Sequence, residues 1–203
     1  IQPSSGKILF EGKDVTALKA HELFHKGIVR TFQIPQEFGR LTVLENLMAV
    51  PADQPGERLW DAWFRPGRVA GREEEIKARA GETLAFLNLR HLANEPAEAL
   101  SGGQKKLLEL GRAMMAEPKI VLLDEPGAGV NPTLLGELAS MIERLAGDRG
   151  YTFCIIEHNM DMIARLCDPV IVMAEGRVLT QGHISEVRAN RDVIEAYLGG
   201  QAA

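Results

Sequence analysis

Cysteine is scarce in this sequence, and a long apolar run is absent. The two cysteines, Cys154 and Cys167, have no metal-ligand spacing. Cys154 lies between Phe153 and Ile155, so we expect a buried, reduced thiol, which suits a cytosolic protein. No apolar run approaches the roughly 18 residues that a membrane span needs, so a membrane role would depend on a partner. The sequence has no secretory signal and begins with Ile1 rather than Met, so Ile1 is not expected to be the natural start.

The composition is that of an ordinary globular protein with a slight acidic excess. The 203 residues are 45% hydrophobic and 25% charged, enough for a real core in one large domain or one and a half. The net charge of -5 argues against nucleic acid as a partner. No internal repeat or low-complexity segment occurs, so a repeat architecture is not predicted.

The stretch Leu100–Gln104 combines two adjacent glycines with a helix-capping residue. Adjacent glycines leave backbone N–H groups unshielded, and Ser101 is a favourable N-cap. A helix is predicted to follow, because Leu107, Leu110 and Met114 recur at helical spacing. The free N–H groups and the positive dipole end of such a helix favour phosphate. From these residues alone, the stretch is either a phosphate-facing helix start or an ordinary glycine-rich turn.

An apolar run that ends in two carboxylates follows this helix. Residues Ile120–Leu123 are β-branched and aliphatic, as in a parallel strand that is buried on both faces. Asp124 and Glu125 come directly after the run, at the strand end where open α/β sheets place ligands. Together with Leu100–Gln104, this strand favours the phosphate interpretation.

The sequence LSGGQ, then a helix, then IVLLDEP, resembles the ATP-binding subunit of an ABC transporter. The first element resembles the signature motif of that family, and the second resembles its Walker B strand. The resemblance implies an α/β fold: a P-loop NTPase-like ATPase core with a mixed sheet and flanking helices, incomplete at its N-terminal part. It also implies a helical signature subdomain over residues 41–116, with the core formed by residues 1–40 and 117–203.

The resemblance implies ATP and Mg²⁺ as ligands and gives roles to residues at strand ends. Asp124 matches the residue that positions Mg²⁺, and Glu125 matches the general base. Gln33, at the end of the predicted strand Ile28–Phe32, matches a glutamine that touches the metal and the attacking water. His158, after a further predicted strand, matches the switch histidine that holds the γ-phosphate.

A second set of family positions implies a dimer. Ser101, Gly102, Gly103 and Gln104 match residues that reach the ATP held by a second ATP-binding subunit, which implies a head-to-tail dimer. Asn131 falls where most members of the family carry Asp. Because Asn keeps the hydrogen-bonding capacity, we expect Asn131 at the nucleotide as well.

The pattern G-x-x-x-x-G-K-[ST], which wraps the β- and γ-phosphates in this family, occurs nowhere in the chain. The nearest match is Ser5-Gly6-Lys7, but it lacks the upstream glycine and runs into the predicted strand Ile8–Phe10. The chain therefore resembles a family member that starts just after its P-loop helix. We expect a protein of these residues alone not to bind ATP measurably and not to hydrolyse it.

Residues 51–71 interrupt the helical part with prolines, glycines and both tryptophans of the chain. Trp60 and Trp63 lie near Phe64, and four arginines but one aspartate occur over residues 58–72. This segment is either an aromatic plug that packs onto neighbouring helices, or an amphipathic element that meets a membrane subunit or lipid head groups.

The remaining elements are predicted from turn residues, caps and periodicity. Hairpins are predicted over Gly6–Val15 and Pro169–Gln181, and helices over Lys19–Phe24, from the N-cap Thr42 onward, and over Glu73–Leu87, Thr133–Ala146, Ile184–Val187 and Val193–Leu198.

Five segments favour one subgroup of the family. Residues 27–33 (GIVRTFQ), 41–47 (LTVLENL), the insert with the tryptophans, 156–160 (IEHNM) and 193–199 (VIEAYLG) are most similar to the branched-chain amino acid importer group, and importers of urea and other amides share these features. A lipopolysaccharide-export ATPase and a non-hydrolysing binding or regulatory module are the alternatives. The importer resemblance implies transmembrane permease subunits as partners and, indirectly, a periplasmic or extracellular substrate-binding protein. It also implies a peripheral location at the cytoplasmic face of the inner (plasma) membrane.

Overall fold

The computed structural model describes residues 3–57 and 59–198. Its elements follow in chain order: β1 (Leu9–Phe10), β2 (Lys13–Asp14), α1 (Ala20–His25), β3 (Ile28–Arg30), α2 (Val43–Met48), α3 (Leu59–Phe64), α4 (Pro66–Phe86), α5 (Gly102–Met115), β4 (Ile120–Asp124), α6 (Pro132–Arg149), β5 (Thr152–Ile156), α7 (Met160–Leu166), β6 (Val170–Ala174), β7 (Arg177–Gly182), α8 (Ile184–Ala189) and α9 (Arg191–Leu198). Short 3₁₀ helices lie at Pro55–Glu57, Arg90–Leu92 and Ala97–Ala99. Ile1, Arg58 and Gly199, which enter the sequence-based expectations, lie outside the described residues.

A parallel sheet of β3, β4 and β5 forms the centre of the α/β part. β4 lies in the middle, because Val121 pairs with Val29 on one side and with Phe153 on the other. Parallel neighbours need crossover connections, which the segment from α2 to α5 and the helix α6 provide. The antiparallel strands pair separately, as the hairpins β1–β2 and β6–β7. The predicted α/β fold is confirmed, and in the described residues its parallel and antiparallel strands form separate sheets.

One face of β4 is more deeply buried than the other. Val121 and Leu123 are almost inaccessible to solvent, whereas Ile120 and Leu122 are half-buried. The expectation that this strand is buried on both faces is therefore wrong. The physical reason is the period of two along a strand, which turns alternate side chains toward the core and toward a more open side.

The same alternation exposes a cysteine on β5. Cys154 is an exposed free thiol, so the expectation that it is buried is wrong. Phe153 and Ile155 pack against the core, and Cys154 lies between them on the opposite face of the strand. The apolar neighbours of Cys154 in the sequence therefore led to the wrong prediction, because they face the opposite side of the sheet.

Helix α5 is central to the hydrophobic core. It begins at Gly102, after the predicted N-cap, and Leu108, Leu110 and Met115 are buried along it. One contiguous apolar cluster runs from α2 and α4 through α5 to β4 and α6. The helix that follows LSGGQ is thus packed against both the helical segment and the sheet.

Helix α4 is longer than the sequence pattern predicts. It starts at Pro66 rather than at Glu73, and proline is well suited to the first position of a helix. Its buried face contains Ile76, Ala80 and Leu84, as predicted. The capping box predicted for α2 is also present: the Thr42 hydroxyl accepts a hydrogen bond from the Glu45 N–H at 3.1 Å.

Helix α3 carries the aromatic residues of the 51–71 segment on its outside. Trp60, Trp63 and Phe64 are exposed, and the rings of Trp60 and Phe64 contact each other at a centroid distance of 4.3 Å. The interpretation of this segment as an aromatic plug is therefore wrong, because Asp61 and not an aromatic ring fills the inward side of the helix. In the described part of the chain, every helix is too short or too polar to cross a bilayer.

Candidate active site

The carboxyl ends of three parallel strands bring four of the predicted site residues to one edge of the sheet. Gln33 follows β3, Asp124 and Glu125 lie at the end of β4, and His158 follows β5. Because neighbouring parallel strands end at the same edge, side chains distant in sequence become neighbours in space.

Glu125 is turned sharply out of the strand. Its N–H donates to the Ile156 carbonyl at 2.9 Å, which extends the β4–β5 pairing by one residue. Its φ of 45° lies in the left-handed region, a strained conformation that is common at functional sites. The chain thereby leaves the strand at Glu125 and places the carboxylate at the edge of the sheet.

Gln33 and His158 flank the Glu125 carboxylate. The Gln33 side-chain Nε2 donates to Glu125 Oε2 at 2.6 Å. The His158 Nδ1 lies 4.0 Å from Glu125 Oε1, and the imidazole is largely exposed. One carboxylate therefore lies between an amide and an imidazole that come from different strands.

Asp124 pairs with a residue to which the sequence pattern assigned no role. Arg30, the last residue of β3, donates from Nη2 to Asp124 Oδ2 at 2.9 Å. Arg30 is the last residue of β3, three positions before Gln33. Its place near the predicted site residue Gln33 is the one feature of the sequence that could have pointed to its contact with Asp124.

Glu157 is a buried carboxylate that the sequence interpretation also missed. Its side chain is 1% exposed, and it accepts backbone N–H groups from Gly127 (2.8 Å), His158 (2.9 Å) and Asn159 (3.1 Å). It thereby ties the loop after β4 to the loop after β5. A Cβ on Gly127 would lie 2.7 Å from Glu157 Oε1 and 2.8 Å from the side chain of Leu135, so the close approach requires glycine.

The LSGGQ stretch forms a capped helix start, as predicted. Ser101 Oγ accepts from the Gln104 N–H at 3.3 Å, and the Gln104 side chain accepts from the Ser101 N–H at 2.9 Å. The two glycines differ in their surroundings: a Cβ on Gly103 would overlap the side chain of Leu134, whereas a Cβ on Gly102 would meet open space.

Ser101–Gln104 and Asn131 lie apart from the carboxylate group at the sheet edge. Among the described residues, no hydrogen bond or ion pair joins Ser101–Gln104 to Asp124, Glu125 or His158. Asn131 is the N-cap of α6 and accepts from the Leu134 N–H at 2.9 Å. Asn131 therefore has a local structural partner in addition to its expected position at the nucleotide.

Helix α5 holds the loop formed by residues 32–37, hereafter the Gln33 loop. Lys106 is almost buried, and its Nζ donates to the backbone carbonyls of Phe32 and Gln33. Glu109, one turn further along, accepts from the Phe32 N–H at 2.7 Å. The helix that starts at Ser101 thus contacts the loop that presents Gln33 to Glu125.

Two further basic side chains of α5 complete this contact. Lys105 pairs with Glu37 at 2.6 Å, and Arg112 donates to the carbonyl of Gln36. Burial is the largest single influence on the pKa of Glu37 and raises it, but the hydrogen bond from Lys105, a backbone hydrogen bond and the charges of Lys105 and Arg112 together hold that pKa below its usual value. In the sequence, these contacts could have been anticipated only from a polar stripe on one face of the helix. Its members, Lys106, Glu109 and Arg112, are each three residues apart.

Burial raises the pKa of Glu109 above its ordinary value. The hydrogen bond from the Phe32 N–H and the charges of Lys106 and Arg112 act in the opposite direction, but desolvation is the largest effect. Glu109 is therefore a carboxyl group that the fold keeps in a poorly hydrated position beneath the Gln33 loop.

The residues at the sheet edge fit a magnesium ion. Mg²⁺ in nucleotide sites takes oxygen ligands, usually one or two carboxylates together with phosphate oxygens. Asp124 supplies carboxylate oxygens at the end of β4, and Gln33 supplies an amide oxygen beside Glu125. A cation at Asp124 would share or replace the present contact of this carboxylate with Arg30.

Comparison with known proteins decides the family. The profile of a family described as ABC transporter matches residues 1–128, more than half of the chain. The chain belongs to the ABC transporter family. A second profile, described as branched-chain amino acid ATP-binding cassette transporter, matches residues 177–203 of this ABC protein.

Curated relatives of this ABC protein are similar over almost the whole chain. A probable branched-chain amino acid transport ATP-binding protein LivG of Archaeoglobus fulgidus is 46% identical over 198 residues, covering 97% of this chain and 75% of the relative. The high-affinity branched-chain amino acid transport ATP-binding protein BraF of Pseudomonas aeruginosa is 35% identical, covering 98% of this chain and 78% of the relative.

Solved structures of ATP-binding cassettes share the fold. The crystal structure of the ADP conformation of MJ1267, an ATP-binding cassette of an ABC transporter, matches with a TM-score of 0.79 and 38% identity, covering 98% of this chain and 79% of that one. The structure of cbiO1 from Clostridium perfringens, part of the transporter complex cbiONQ, matches with a TM-score of 0.75 and 32% identity, covering 96% and 72%.

Proposed function

We propose that this chain is part of the ATP-hydrolysing subunit of an importer for branched-chain amino acids. The observation that carries the proposal is the Glu125 carboxylate, which lies between Gln33 and His158 at the carboxyl edge of the sheet. The substrate class is supported by the relatives named for branched-chain amino acid transport and by the matching profile over residues 177–203. That support favours the importer over a lipopolysaccharide-export ATPase.

The side chains at the sheet edge supply acid–base chemistry and orientation. Glu125 accepts a proton from the attacking water, and Gln33 fixes the direction of that carboxylate through its 2.6 Å hydrogen bond. His158, within 4.0 Å of Glu125, donates a hydrogen bond toward the γ-phosphate. Asp124 and Gln33 would hold Mg²⁺, which neutralises phosphate charge when it is bound.

The helix start at Ser101 provides the other half of a composite site. Its free N–H groups and the Ser101 hydroxyl face solvent and favour a phosphate. In a head-to-tail dimer, Ser101, Gly102, Gly103 and Gln104 would contact the ATP of a second ATP-binding subunit. Asn131 would lie beside the same nucleotide.

The assembly follows from this role. Two ATP-binding subunits would dock on transmembrane permease subunits at the cytoplasmic face of the membrane, and a substrate-binding protein outside would act indirectly through the permease. The Gln33 loop, which α5 holds through Lys106 and Glu109, would carry the movement between the nucleotide and the permease.

The decisive experiment is Glu125→Gln in the complete gene product, assembled with its permease. ATP turnover should fall at least about 100-fold, the contribution typical of a general base, and the ATP-bound dimer should accumulate. The matched control is Glu82→Gln on the exposed face of α4, which should keep turnover. Unchanged turnover in Glu125→Gln would remove Glu125 from this role, and absence of ATP turnover in the unmodified assembly would favour a non-hydrolysing module.

The loop pattern that wraps the triphosphate in this family is absent from residues 1–203. Because the chain has no G-x-x-x-x-G-K-[ST] pattern, no backbone loop and lysine are available to wrap the triphosphate. We propose that residues 1–203 alone bind no ATP measurably in a calorimetric titration. Micromolar affinity would overturn this statement.

A further inference from the structure

Helix α3 exposes its large apolar side chains and buries a charged one, the reverse of an ordinary surface helix. Its large apolar side chains are mostly exposed: Leu59 by 83%, Trp60 by 68%, Trp63 by 80% and Phe64 by 60%. These positions are spaced one and four residues apart, so they share one face of the helix. The buried side chain of the helix is Asp61.

Asp61 forms ion pairs on the inner side of α3. The Asp61 carboxylate lies 3.5 Å from Arg65 Nη1 and 3.9 Å from Arg68 Nη1. The backbone carbonyl of Asp61 also accepts from the Arg65 N–H at 2.9 Å, at the junction with α4. Charged contacts therefore occupy the inner side of α3, and the aromatic side chains lie on its outer side.

The exposed face is large for a surface that faces only water. An aromatic side chain contributes about 150–250 Å² when it is buried, so Trp60, Trp63 and Phe64 together offer several hundred Å². Exposed apolar patches of this size mark sites of contact with another protein or with a membrane. The α3 face consequently needs a partner.

The charge around this face selects the kind of partner. Within residues 59–72, the only acidic side chain is the buried Asp61. Arg65 and Arg68 are exposed, whereas Arg72 is half-buried and pairs with Glu75. A second copy of the chain would bring these arginines toward each other, which is unfavourable. An anionic surface would instead attract them.

We propose that α3 docks on the surface of an anionic lipid bilayer. Leu59, Trp60, Trp63 and Phe64 enter the head-group region, while Arg65 and Arg68 contact lipid phosphates. Tryptophan prefers this interface because its ring has an apolar body and a polar N–H, and a bilayer needs no groove complementary to protruding side chains. The inference goes beyond the proposed ATPase function and does not depend on ATP turnover.

The two tryptophans of the chain, Trp60 and Trp63, report directly on this contact. Tryptophan emission of the full chain is measured with phosphatidylcholine vesicles, with and without phosphatidylglycerol. We expect a blue shift and quenching by brominated acyl chains with the anionic vesicles, and a much weaker response with phosphatidylcholine alone. Added salt should weaken binding, because the attraction of arginine to the surface is screened within about 8 Å at physiological ionic strength. An unchanged spectrum with the anionic vesicles would overturn the proposal.

Co-sedimentation of variants with the same vesicles tests which residues bind. Trp60→Ser with Trp63→Ser should abolish sedimentation, whereas Ile171→Ser with Met173→Ser, which removes exposed apolar side chains from β6, should not. Arg65 and Arg68 also hold Asp61, so the salt titration of the unmodified chain tests the charge without disturbing the helix. Equal binding by the tryptophan variant would contradict the proposal. A shift in tryptophan emission that occurs only when the chain assembles with the permease in detergent, and not with vesicles, would assign the α3 face to a protein partner. That result would also overturn the proposal.

Discussion

Glu157 joins two loops through one buried carboxylate. Its oxygens accept three backbone N–H groups, one from the loop after β4 and two from the loop after β5. Buried N–H groups that lose their acceptor destabilise a protein by about 1–3 kcal/mol each, unless water reaches them. This residue therefore sets the position of His158 relative to Glu125, although it does not face the solvent-exposed edge.

The substitution Glu157→Ala should lower the free energy of unfolding by about 3 kcal/mol, because three N–H groups lose a charged acceptor. Urea unfolding followed by circular dichroism measures the loss. Glu157→Gln keeps one amide oxygen and should lose less stability than the alanine variant. Equal stability of all three proteins would mean that the carboxylate contributes nothing to the fold.

Glu109 should make stability depend on pH in a defined direction. Burial raises its pKa above the ordinary value of 4.5, so the folded state retains a proton at a pH where the unfolded chain has lost it. The stability that protonated Glu109 provides is complete below 4.5 and declines as the pH rises through the raised pKa.

The variant Glu109→Gln keeps an oxygen that accepts from the Phe32 N–H but cannot titrate. Relative to the unmodified chain, its free energy of unfolding should therefore increase as the pH rises from 4.5 upward. Urea titrations at a series of pH values measure this difference. A difference that stays constant across the series would rule out the raised pKa.

At the scale of single elements, the start of α5 distinguishes two adjacent glycines. Gly102→Ala should be neutral or stabilise by up to about 1 kcal/mol, because its Cβ meets open space and alanine favours the helix. Gly103→Ala should be less stable than Gly102→Ala by about 1–3 kcal/mol, because its Cβ overlaps Leu134. Thermal unfolding of both variants tests the difference, and Leu134→Ala should reduce it. Equal stability of the two alanine variants would show that Leu134 rotates away freely.

Elements defined by local chemistry were predictable from the sequence. The caps at Thr42 and Ser101 and the turn at Glu175-Gly176 depend on residues close together in the chain, and the structure has them where the pattern places them. Glu125 directly after β4 was predictable for the same reason, since polar residues end the apolar run. The predicted strand Ile28–Phe32 is too long: β3 ends at Arg30, and the Phe32 N–H donates to the Glu109 side chain instead of a neighbouring strand.

The sequence could not show which side of an element meets the core. Cys154 and the aromatic residues of α3 have apolar neighbours in the chain, yet they face outward, because packing partners decide the covered face. The contacts of Lys106, Glu109 and Glu157 were also unpredictable in detail. They join residues that are about 30 to 75 positions apart or depend on a backbone turn.

At the scale of the whole molecule, the parallel sheet has one covered face and one open face. Helices pack against Val121, Leu123, Phe153 and Ile155, whereas Ile156 lies on the open side with Cys154. The open face is apolar enough to attract another element or another molecule. The reactivity of the Cys154 thiol, which lies on this face, reports whether the face is exposed or covered in solution.

Cys154 should react with a disulfide reagent faster than Cys167. Cys154 is exposed, whereas Cys167 is half-buried and burial raises its pKa, which reduces its thiolate fraction. Labelling with timed mass spectrometry distinguishes the two thiols, and a Cys154→Ser variant identifies the fast phase. Slow labelling of Cys154 would indicate that the open face of the sheet is covered in solution.

The contact between Gly127 and Glu157 has a consequence for the history of the sequence. A side chain at Gly127 would displace the Glu157 carboxylate, and a shorter residue at 157 would leave the Gly127 N–H without its acceptor. Each change alone passes through a less stable intermediate, so a lineage can leave this arrangement only by a paired substitution. We therefore expect these two positions to covary among homologues, and the loops after β4 and β5 to evolve as one unit.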